Sequence, residues 1–191
     1  MKNEEKILEA TLAVVREQTI SGTRMHLIAQ KADMLQSNLH YYYKTKNDLL
    51  QALQDKVLDK CLEIRTNLRV DCEDSLESEL DVFIKQKKAF IMEYRDYDYA
   101  ELDFWVQGRI NPKMRENFAK SFDGWRMEIG EMLDRYVPSL NETVRTYLPY
   151  LVVSYLEGAT IQYLIEEDSF DLDAYFAFGK KMILDTIHKS I

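Results

Sequence analysis

The sequence predicts an all-α protein, with a three-helix head at the N-terminus joined by a long helix to a larger helical body. Apolar residues recur at spacings of three and four along nearly the whole chain, which is the period of a helix with one buried face. Only three prolines and six glycines interrupt the 191 residues, so few positions favour turns. With 46% hydrophobic and 30% charged residues, the composition is that of a folded globular protein.

The head is predicted to contain three helices. The first covers residues 3–18, where apolar side chains fall on one face and charged side chains elsewhere. A second, short helix is expected to follow Thr23, whose hydroxyl is suited to cap its first turn, and to end near Ala32. A third short helix is expected over residues 36–42.

A long helix is predicted to connect the head to the body. Thr45 and Asp48 have the spacing of a reciprocal cap at its start. The apolar stripe that begins there continues to Leu68, so no flexible linker is expected. The predicted division places the head at residues 1–48 and the body at residues 49–191.

Five further helices are expected in the body, over residues 75–95, 97–109, 112–136, 141–167 and 172–190. Asn111 and Pro112 mark the clearest boundary, because Asn is a good N-cap and Pro is tolerated at the first helical position. Pro149 lies inside a predicted helix, where it removes a hydrogen bond, so that helix is expected either to kink or to restart.

Composition also excludes several classes of protein. The chain has no apolar segment long enough for a membrane span and its first residues are charged, so a cytoplasmic protein without a membrane partner is expected. Cys61 and Cys72 have no neighbouring Cys or His cluster, so neither a disulfide framework nor a metal site is predicted. Three separated histidines, with no phosphate loop and no nucleophile motif, argue against an enzyme and against a cofactor.

The net charge of −8 is unevenly distributed. Residues 1–50 contain seven Lys or Arg and six Asp or Glu, which leaves −9 on the other 141 residues. A near-neutral head on an acidic body fits a protein whose head alone approaches nucleic acid. It fits equally well a protein whose acidity only maintains solubility.

The segment GTRMHLIAQKADMLQSNLHYYYKTKNDLL, from Gly22 to Leu50, resembles the N-terminal domain of the tetracycline-repressor (TetR) family. The resemblance implies a helix-turn-helix DNA-binding domain, whose second short helix enters the major groove, joined to a helical effector-binding and dimerisation domain. It further implies a homodimeric repressor that a small-molecule effector releases from a palindromic operator in double-stranded DNA. The residues in register are Ile7, Leu8, Ala10, Thr23, Ile28, Ala29, Ala32, Leu39, Tyr41, Lys44, Lys46 and Leu49.

Three residues depart from the family pattern. Asp33 and Ser37 replace glycines, and Leu35 replaces the Ser that caps the reading helix. Asp33 is expected to adopt a left-handed conformation, which Asp tolerates better than most residues. The helix after Leu35 needs another acceptor for its first N–H groups, and binding geometry is expected to be less conventional. The alternative function is a helical interaction protein of the same fold that no longer binds DNA.

Two groups of side chains are predicted to contact DNA. Polar groups at the start of the third helix can bond base edges, since Asn and Gln pair with adenine and His donates to guanine, although a solvated turn has the same composition. In the resemblance, hydroxyl and cationic groups contact phosphates. The predicted base-reading residues are Gln36, Ser37, Asn38 and His40, and the predicted phosphate contacts are Thr23, Arg24, Tyr41, Tyr42, Lys44 and Lys46. For Arg24, contact with a base is the alternative.

The resemblance also implies a dimer interface formed by the last two helices. Small and apolar residues there allow close approach of a second subunit, but they are equally suited to the core of a single chain. The predicted interface residues are Gly158, Ala159, Gln162, Tyr163, Phe176, Gly179, Met182 and Ile183.

Family members bind a small molecule among the middle helices, which are rich in aromatic residues in this chain. Acids beside aromatic rings between Tyr97 and Trp105 suit an organic cation, through charge and cation–π attraction. The alternatives are core packing for the aromatic residues and a solvent-facing stripe for the acids. The predicted effector-binding residues are Tyr94, Tyr97, Glu101, Phe104, Trp105, Arg109, Trp125, Tyr150 and Tyr155.

Overall fold

A computed structural model describes residues 3–191, which form nine α-helices and no strand. The all-α prediction is confirmed, and most predicted boundaries lie within three residues of the observed ones. No helix in this range is long and apolar enough to cross a membrane. The helices are α1 (Asn3–Gly22), α2 (Met25–Lys31), α3 (Gln36–Tyr42), α4 (Lys46–Arg69), α5 (Leu76–Met92), α6 (Arg95–Gln107), α7 (Pro112–Tyr136), α8 (Glu142–Ile165) and α9 (Leu172–His188).

Helix α1 is interrupted close to its C-terminal end. Thr19 has φ 57° and ψ 170°, outside the helical region, and one further helical turn follows it up to Gly22. A β-branched residue with positive φ is strained by about 1–3 kcal/mol, so neighbouring contacts must hold this conformation in place. The sequence predicted only that the helix ends near residue 18.

The predicted helix starts at Thr45 and Asn111 are confirmed. The Asp48 carboxylate accepts from the Thr45 amide at 2.9 Å, and the Thr45 hydroxyl accepts from the Asp48 amide at 3.1 Å. The Asn111 side chain accepts from the amides of Lys113 and Met114. These bonds satisfy N–H groups that a helix leaves without partners at its first turn.

Pro149 lies within α8, which runs through it without restarting. The ring is buried, and the preceding Asn141 caps the helix by accepting from the amides of Thr143 and Val144. Packing and a good cap therefore maintain one helix despite the hydrogen bond that Pro removes.

The chain forms two compact units. The first contains the residues up to Leu62 together with Tyr94–Phe118, and the second contains Glu63–Glu93 and Ala119–Ile191. These units are defined by packing, so the functional division at residues 48 and 49 stays a prediction. The first unit includes α6, which the sequence had placed in the body. The head core is formed by Ile7, Ala10, Val14, Ile28, Ala29, Ala32, Leu39 and Leu49.

Candidate nucleic-acid interface

Helix α3 is attached to the head through Leu39, which is fully buried, whereas Ser37 and Asn38 are exposed. In the turn before it, Asp33 has φ 50°, so the left-handed conformation expected there is confirmed. The N-cap is Leu35, and no side chain among the described residues caps the helix. Its first turn is closed by backbone bonds alone, since the Leu35 carbonyl accepts from the Asn38 amide at 2.9 Å.

Two of the predicted base-reading side chains contact each other. His40 Nε2 lies 3.3 Å from Gln36 Nε2, and His40 Nδ1 lies 3.2 Å from the Lys44 carbonyl oxygen. The tautomer with a protonated Nδ1 satisfies both contacts, because it accepts from Gln36 and donates to Lys44. The His40 ring therefore spans α3 from its first residue to the loop that follows it.

The end of α3 presents two tyrosines and a lysine. Tyr41 is 76% exposed, and the ring of Tyr42 meets it edge-on with the centroids 5.3 Å apart. The Tyr42 hydroxyl accepts from Asn3 Nδ2 at 3.1 Å, which leaves its own O–H available to donate. Lys44 is exposed. This exposure is compatible with the predicted phosphate contacts.

The structure corrects both predictions for Thr23. Its side chain is fully buried, and its hydroxyl donates to the Thr19 carbonyl at 2.8 Å, so it neither caps α2 nor faces a phosphate. The N-cap of α2 is Arg24, without a side-chain cap bond. The Arg24 guanidinium donates to the carbonyls of Ser21 and Thr23, and the residue remains exposed.

Lys46 connects the start of α4 to the end of α1. Its Nζ donates to the Ile20 carbonyl at 2.7 Å. Burial lowers the pKa of the Lys46 ammonium, and the nearby positive charge of Arg24 lowers it further. Since an ammonium has three N–H donors, a phosphate contact by Lys46 stays a prediction.

Two side chains of α6 also contact this end of α1. The Asp103 carboxylate accepts from the Ile20 amide at 3.0 Å, and Gln107 donates to the Ser21 hydroxyl at 3.0 Å. Burial raises the pKa of Asp103, while the Ile20 N–H acts in the opposite direction. Sequence analysis did not identify this contact, because nothing in the residue pattern predicts the break at Thr19 that exposes the Ile20 amide.

The predicted effector residues of α6 are largely enclosed within the first unit. Phe104 is fully buried, and the rings of Phe104 and Trp105 each lie 6.3 Å from that of Phe118. Asp98 and Glu101 are 1% and 4% exposed. The alternative of a solvent-facing acidic stripe is therefore wrong for these two residues.

The remaining predicted effector residues of the first unit have different surroundings. Tyr94 and Tyr97 meet edge-on, with ring centroids 6.3 Å apart. Lys60 Nζ lies 5.1 Å from the centre of the Tyr94 ring, so one aromatic face here already carries a cation. Arg109 is exposed beyond the end of α6.

Three predicted effector residues belong to the second unit. Trp125 is buried, with the Arg65 guanidinium 5.2 Å from its ring. Tyr150 is exposed, and the Arg126 guanidinium lies 4.6 Å from its ring. Tyr155 packs within the unit against Tyr175 and Phe176. An effector role for these residues stays a prediction.

Tyr155 and Gly179 join α8 to α9. The Tyr155 hydroxyl donates to the Phe176 carbonyl at 2.9 Å, and its ring stacks on that of Tyr175 with the centroids 5.0 Å apart. A Cβ at position 179 would lie 2.1 Å from Tyr155 Cε2. Only glycine fits under this ring, and desolvation raises the pKa of the Tyr155 phenol.

Half of the predicted dimer residues face the inside of the second unit. Their burial favours the alternative of a core within one chain for these four: Ala159, Phe176, Gly179 and Ile183. Gln162 and Met182 are exposed, while Gly158 and Tyr163 are half-buried. A subunit contact by these four residues stays a prediction.

The opposite side of α8 and α9 exposes large apolar side chains. Steps of ten and four residues along α8, and of four along α9, place them along one face of each helix. We call this the α8–α9 apolar surface; it consists of Leu151, Ile161, Ile165, Phe178 and Met182. Sequence analysis missed most of it, because both faces of these helices are apolar and only the structure shows which one is buried.

The second unit also contains a cavity of about 340 Å³ that the sequence did not predict. Several of its charged groups are paired within the unit: Arg69 pairs with Glu79 and Glu128, and Arg135 pairs with Asp74. Within residues 3–191, no group of three or more His, Cys, Asp or Glu is arranged to hold a metal. The cavity is lined by Arg69, Glu79, Glu128, Glu131, Met132, Arg135 and Tyr136.

Two short helices joined by a tight turn, with the second exposing polar side chains, define the helix-turn-helix class of DNA-binding proteins. Residues 7–53 match the family model described as bacterial regulatory proteins, tetR family. This match confirms that the N-terminal segment is similar to the helix-turn-helix domain of TetR-family transcriptional regulators, as the resemblance indicated.

Individual proteins show similarity over most of the chain. An uncharacterized HTH-type transcriptional regulator in the dhlA 5′ region of Xanthobacter autotrophicus is 22% identical over 169 residues, covering 87% of this chain and 82% of that protein. A TetR transcription regulator from Haloarcula marismortui has a TM-score of 0.81 at 17% identity, covering 98% and 97% of the two chains. A putative transcriptional regulator from Saccharomonospora viridis, in complex with choline, has a TM-score of 0.81 at 18% identity, covering 97% and 95%.

Proposed function

We propose that this regulator is a dimeric, sequence-specific repressor that a small-molecule effector releases from a palindromic operator. The observation that carries the DNA-reading part is the exposure of Ser37 and Asn38 on a helix held in place by the fully buried Leu39. A short helix fixed at one face and polar at the other is suited to the major groove.

Asn38 is the strongest candidate for reading a base. Its side chain is exposed, and no hydrogen bond from it to another side chain is described, whereas Gln36 and His40 bond each other. An Asn side chain offers a donor and an acceptor, and so can form two hydrogen bonds to adenine. Gln36 and His40 are proposed to read bases after exchanging their mutual bond for bonds to DNA.

Phosphate contacts are proposed for Tyr41, Lys44 and Arg24. All three are exposed, and hydroxyl, ammonium and guanidinium groups bond phosphate oxygens without reading sequence. Such contacts release counterions, so they strengthen binding to every sequence alike and weaken with salt.

The α8–α9 apolar surface is proposed as the dimer interface. Phe178 is 66% exposed and Ile165 is 73% exposed, and clusters of large exposed apolar side chains mark interaction sites on soluble proteins. The same patch on two copies forms a self-complementary interface under twofold symmetry. A dimer also supplies two reading helices, which are needed for half-sites roughly 34 Å apart.

The base-reading proposal is tested on a duplex obtained by repeated selection from a random-sequence pool. Asn38→Ala is expected to lower discrimination at one base pair by about 1–3 kcal/mol, because a paired contact is lost. Lys44→Ala should weaken binding to all duplexes alike. The affinities of both variants for duplexes with every single-base change in one half-site distinguish a loss of discrimination at one base pair from a uniform loss of affinity.

An Asn38→Ala protein with undiminished preference at every position would contradict the assignment. Failure of the natural protein to enrich any duplex would instead support the alternative of a helical interaction protein, which the uncapped start of α3 and the acidic body favour.

The proposed effector is an organic cation bound near α6. Asp98 and Glu101 are buried close to Trp105 in sequence, and Lys60 already lies over the ring of Tyr94. Buried carboxylates and aromatic rings attract a quaternary ammonium. The Saccharomonospora viridis regulator, which has the same fold, is in complex with choline, and choline is therefore the first probe.

Choline is expected to lower the affinity for the selected duplex by about 5- to 150-fold, which corresponds to a coupling of about 1–3 kcal/mol. The ligand acts by preferring a conformation in which the two reading helices are wrongly spaced. Calorimetry measures the binding of choline, and DNA titration measures its effect on affinity for the duplex. Both are repeated with the neutral isostere 3,3-dimethylbutanol. Glu101→Gln should weaken choline binding. Equal effects of choline and the isostere, or no binding of choline, would contradict a cationic effector.

A further inference from the structure

We infer that Asp103 of α6 is a positioning residue for DNA binding, because its carboxylate holds the strained end of α1 against which the helix-turn-helix is fixed. This inference rests on the proposed DNA-binding function and deepens it. Among the contacts between α6 and the head, the hydrogen bond from the Ile20 amide to the Asp103 carboxylate is the one that carries this role.

The break at Thr19 creates the group that Asp103 binds. With φ 57° and ψ 170°, Thr19 turns the following amide away from the helical carbonyl ladder. A buried amide without a partner is strongly unfavourable, and the Ile20 side chain is only 2% exposed. Asp103 Oδ2 accepts from this amide at 3.0 Å and thereby caps the last turn of α1.

The same residue connects α1 to the helix-turn-helix. The Ile20 carbonyl accepts from Lys46 Nζ at 2.7 Å, and Lys46 is the first residue of α4, directly after the loop that follows α3. The Thr19 carbonyl accepts from both the amide and the hydroxyl of Thr23, just before α2. The two residues at the break therefore contact the starts of α2 and α4, between which α3 lies.

Two further contacts join α6 to this segment of α1. Gln107 donates to the Ser21 hydroxyl at 3.0 Å, and Arg16 pairs with Asp96 at 3.1 Å. The Arg16–Asp96 pair is substantially exposed, so it contributes little by itself. A strained conformation persists only where its surroundings determine it, and Asp103 supplies the bond to the amide at the break.

The position of Asp103 also relates it to the proposed effector site. It lies on α6 between Glu101 and Phe104, which are both buried. A change in the position of this helix reaches the Ile20 amide through a single hydrogen bond. The head is therefore connected to the proposed effector site by this hydrogen bond as well as by the continuous helix α4.

The test compares Asp103→Ala and Asp103→Asn with Asp96→Ala, which removes another α6 acid that contacts α1. Affinity for the selected duplex is measured together with hydrogen exchange of the Ile20 amide, and circular dichroism checks folding. Asp103→Ala is expected to lose at least about 10-fold in affinity and to exchange the Ile20 amide faster. Asp103→Asn keeps an acceptor oxygen, so both properties should remain within about 3-fold of the natural protein. Asp96→Ala should likewise remain within about 3-fold.

Unchanged affinity in Asp103→Ala, or weakened affinity with an unchanged Ile20 exchange rate, would overturn the inference. Loss of affinity in Asp103→Asn equal to that in Asp103→Ala, with both folded, would also overturn it, because an acceptor is still present. If the natural protein selects no duplex, the proposed function fails and the DNA role of Asp103 fails with it. The Ile20 exchange rates still decide separately whether Asp103 holds the end of α1.

Discussion

The Phe178→Glu protein is expected to be a monomer and to bind the selected palindrome about 10²- to 10⁴-fold more weakly than the natural protein. Two linked half-sites gain affinity because the second binding event is intramolecular, and this gain is lost when the subunits separate. Phe178 is 66% exposed, so the introduced carboxylate is solvated in a monomer and becomes costly only when a second copy covers it.

Sedimentation at several protein concentrations and titration of the palindrome measure the two effects. Met127→Glu is the matched control, because Met127 is also an exposed large apolar residue of the second unit, on α7 and outside the α8–α9 apolar surface. This control should dimerise and bind as the natural protein does. A dimeric Phe178→Glu protein with full affinity would show that the interface lies elsewhere.

The Lys87→Met protein is expected to lose about 3–5 kcal/mol in the free energy of unfolding, because the change leaves a buried carboxylate without its cation. Lys87 Nζ lies 2.5 Å from Glu157 Oε2 in the second unit, and the two side chains are 1% and 8% exposed. Neither group can recover its hydration without opening the core. The ammonium is therefore required as long as Glu157 is ionised.

Urea unfolding at fixed protein concentration measures this loss. Lys88→Met is the neighbouring control, since Lys88 and Asp173 form an exposed ion pair that is worth at most about 1 kcal/mol. Adding Glu157→Met to Lys87→Met should recover most of the stability, because a buried pair can be replaced by apolar groups at little cost. A loss in Lys87→Met no larger than in Lys88→Met would contradict the account.

Much of the fold could be predicted because its signals are local. The cap between Thr45 and Asp48, the cap at Asn111 and the left-handed Asp33 each depend on a few adjacent residues. Helical periodicity likewise predicted the helices of the body. The assignment of α6 to the first unit could not be predicted, because it depends on contacts between residues far apart in the sequence, such as Ile20 and Asp103.

The site was predicted less completely than the fold. Sequence identifies a polar residue on a short helix, but it does not show whether the side chain is exposed, as for Asn38, or buried and bonded, as for Thr23. The same difficulty affected the dimer prediction, since Gly179 faces Tyr155 inside the unit whereas Phe178 faces outward. Where both faces of a helix are apolar, burial can be assigned only from tertiary contacts.

The central claim is that α3 of each subunit reads one half of a palindromic operator. Selection of duplexes from a random-sequence pool, at moderate salt and with sequencing of what is retained, tests it most directly. The expected result is an enriched palindrome whose half-sites are centred one helical turn apart, or a multiple of it. A pool without any enriched sequence, or enrichment of a single half-site without a symmetric copy, would contradict it.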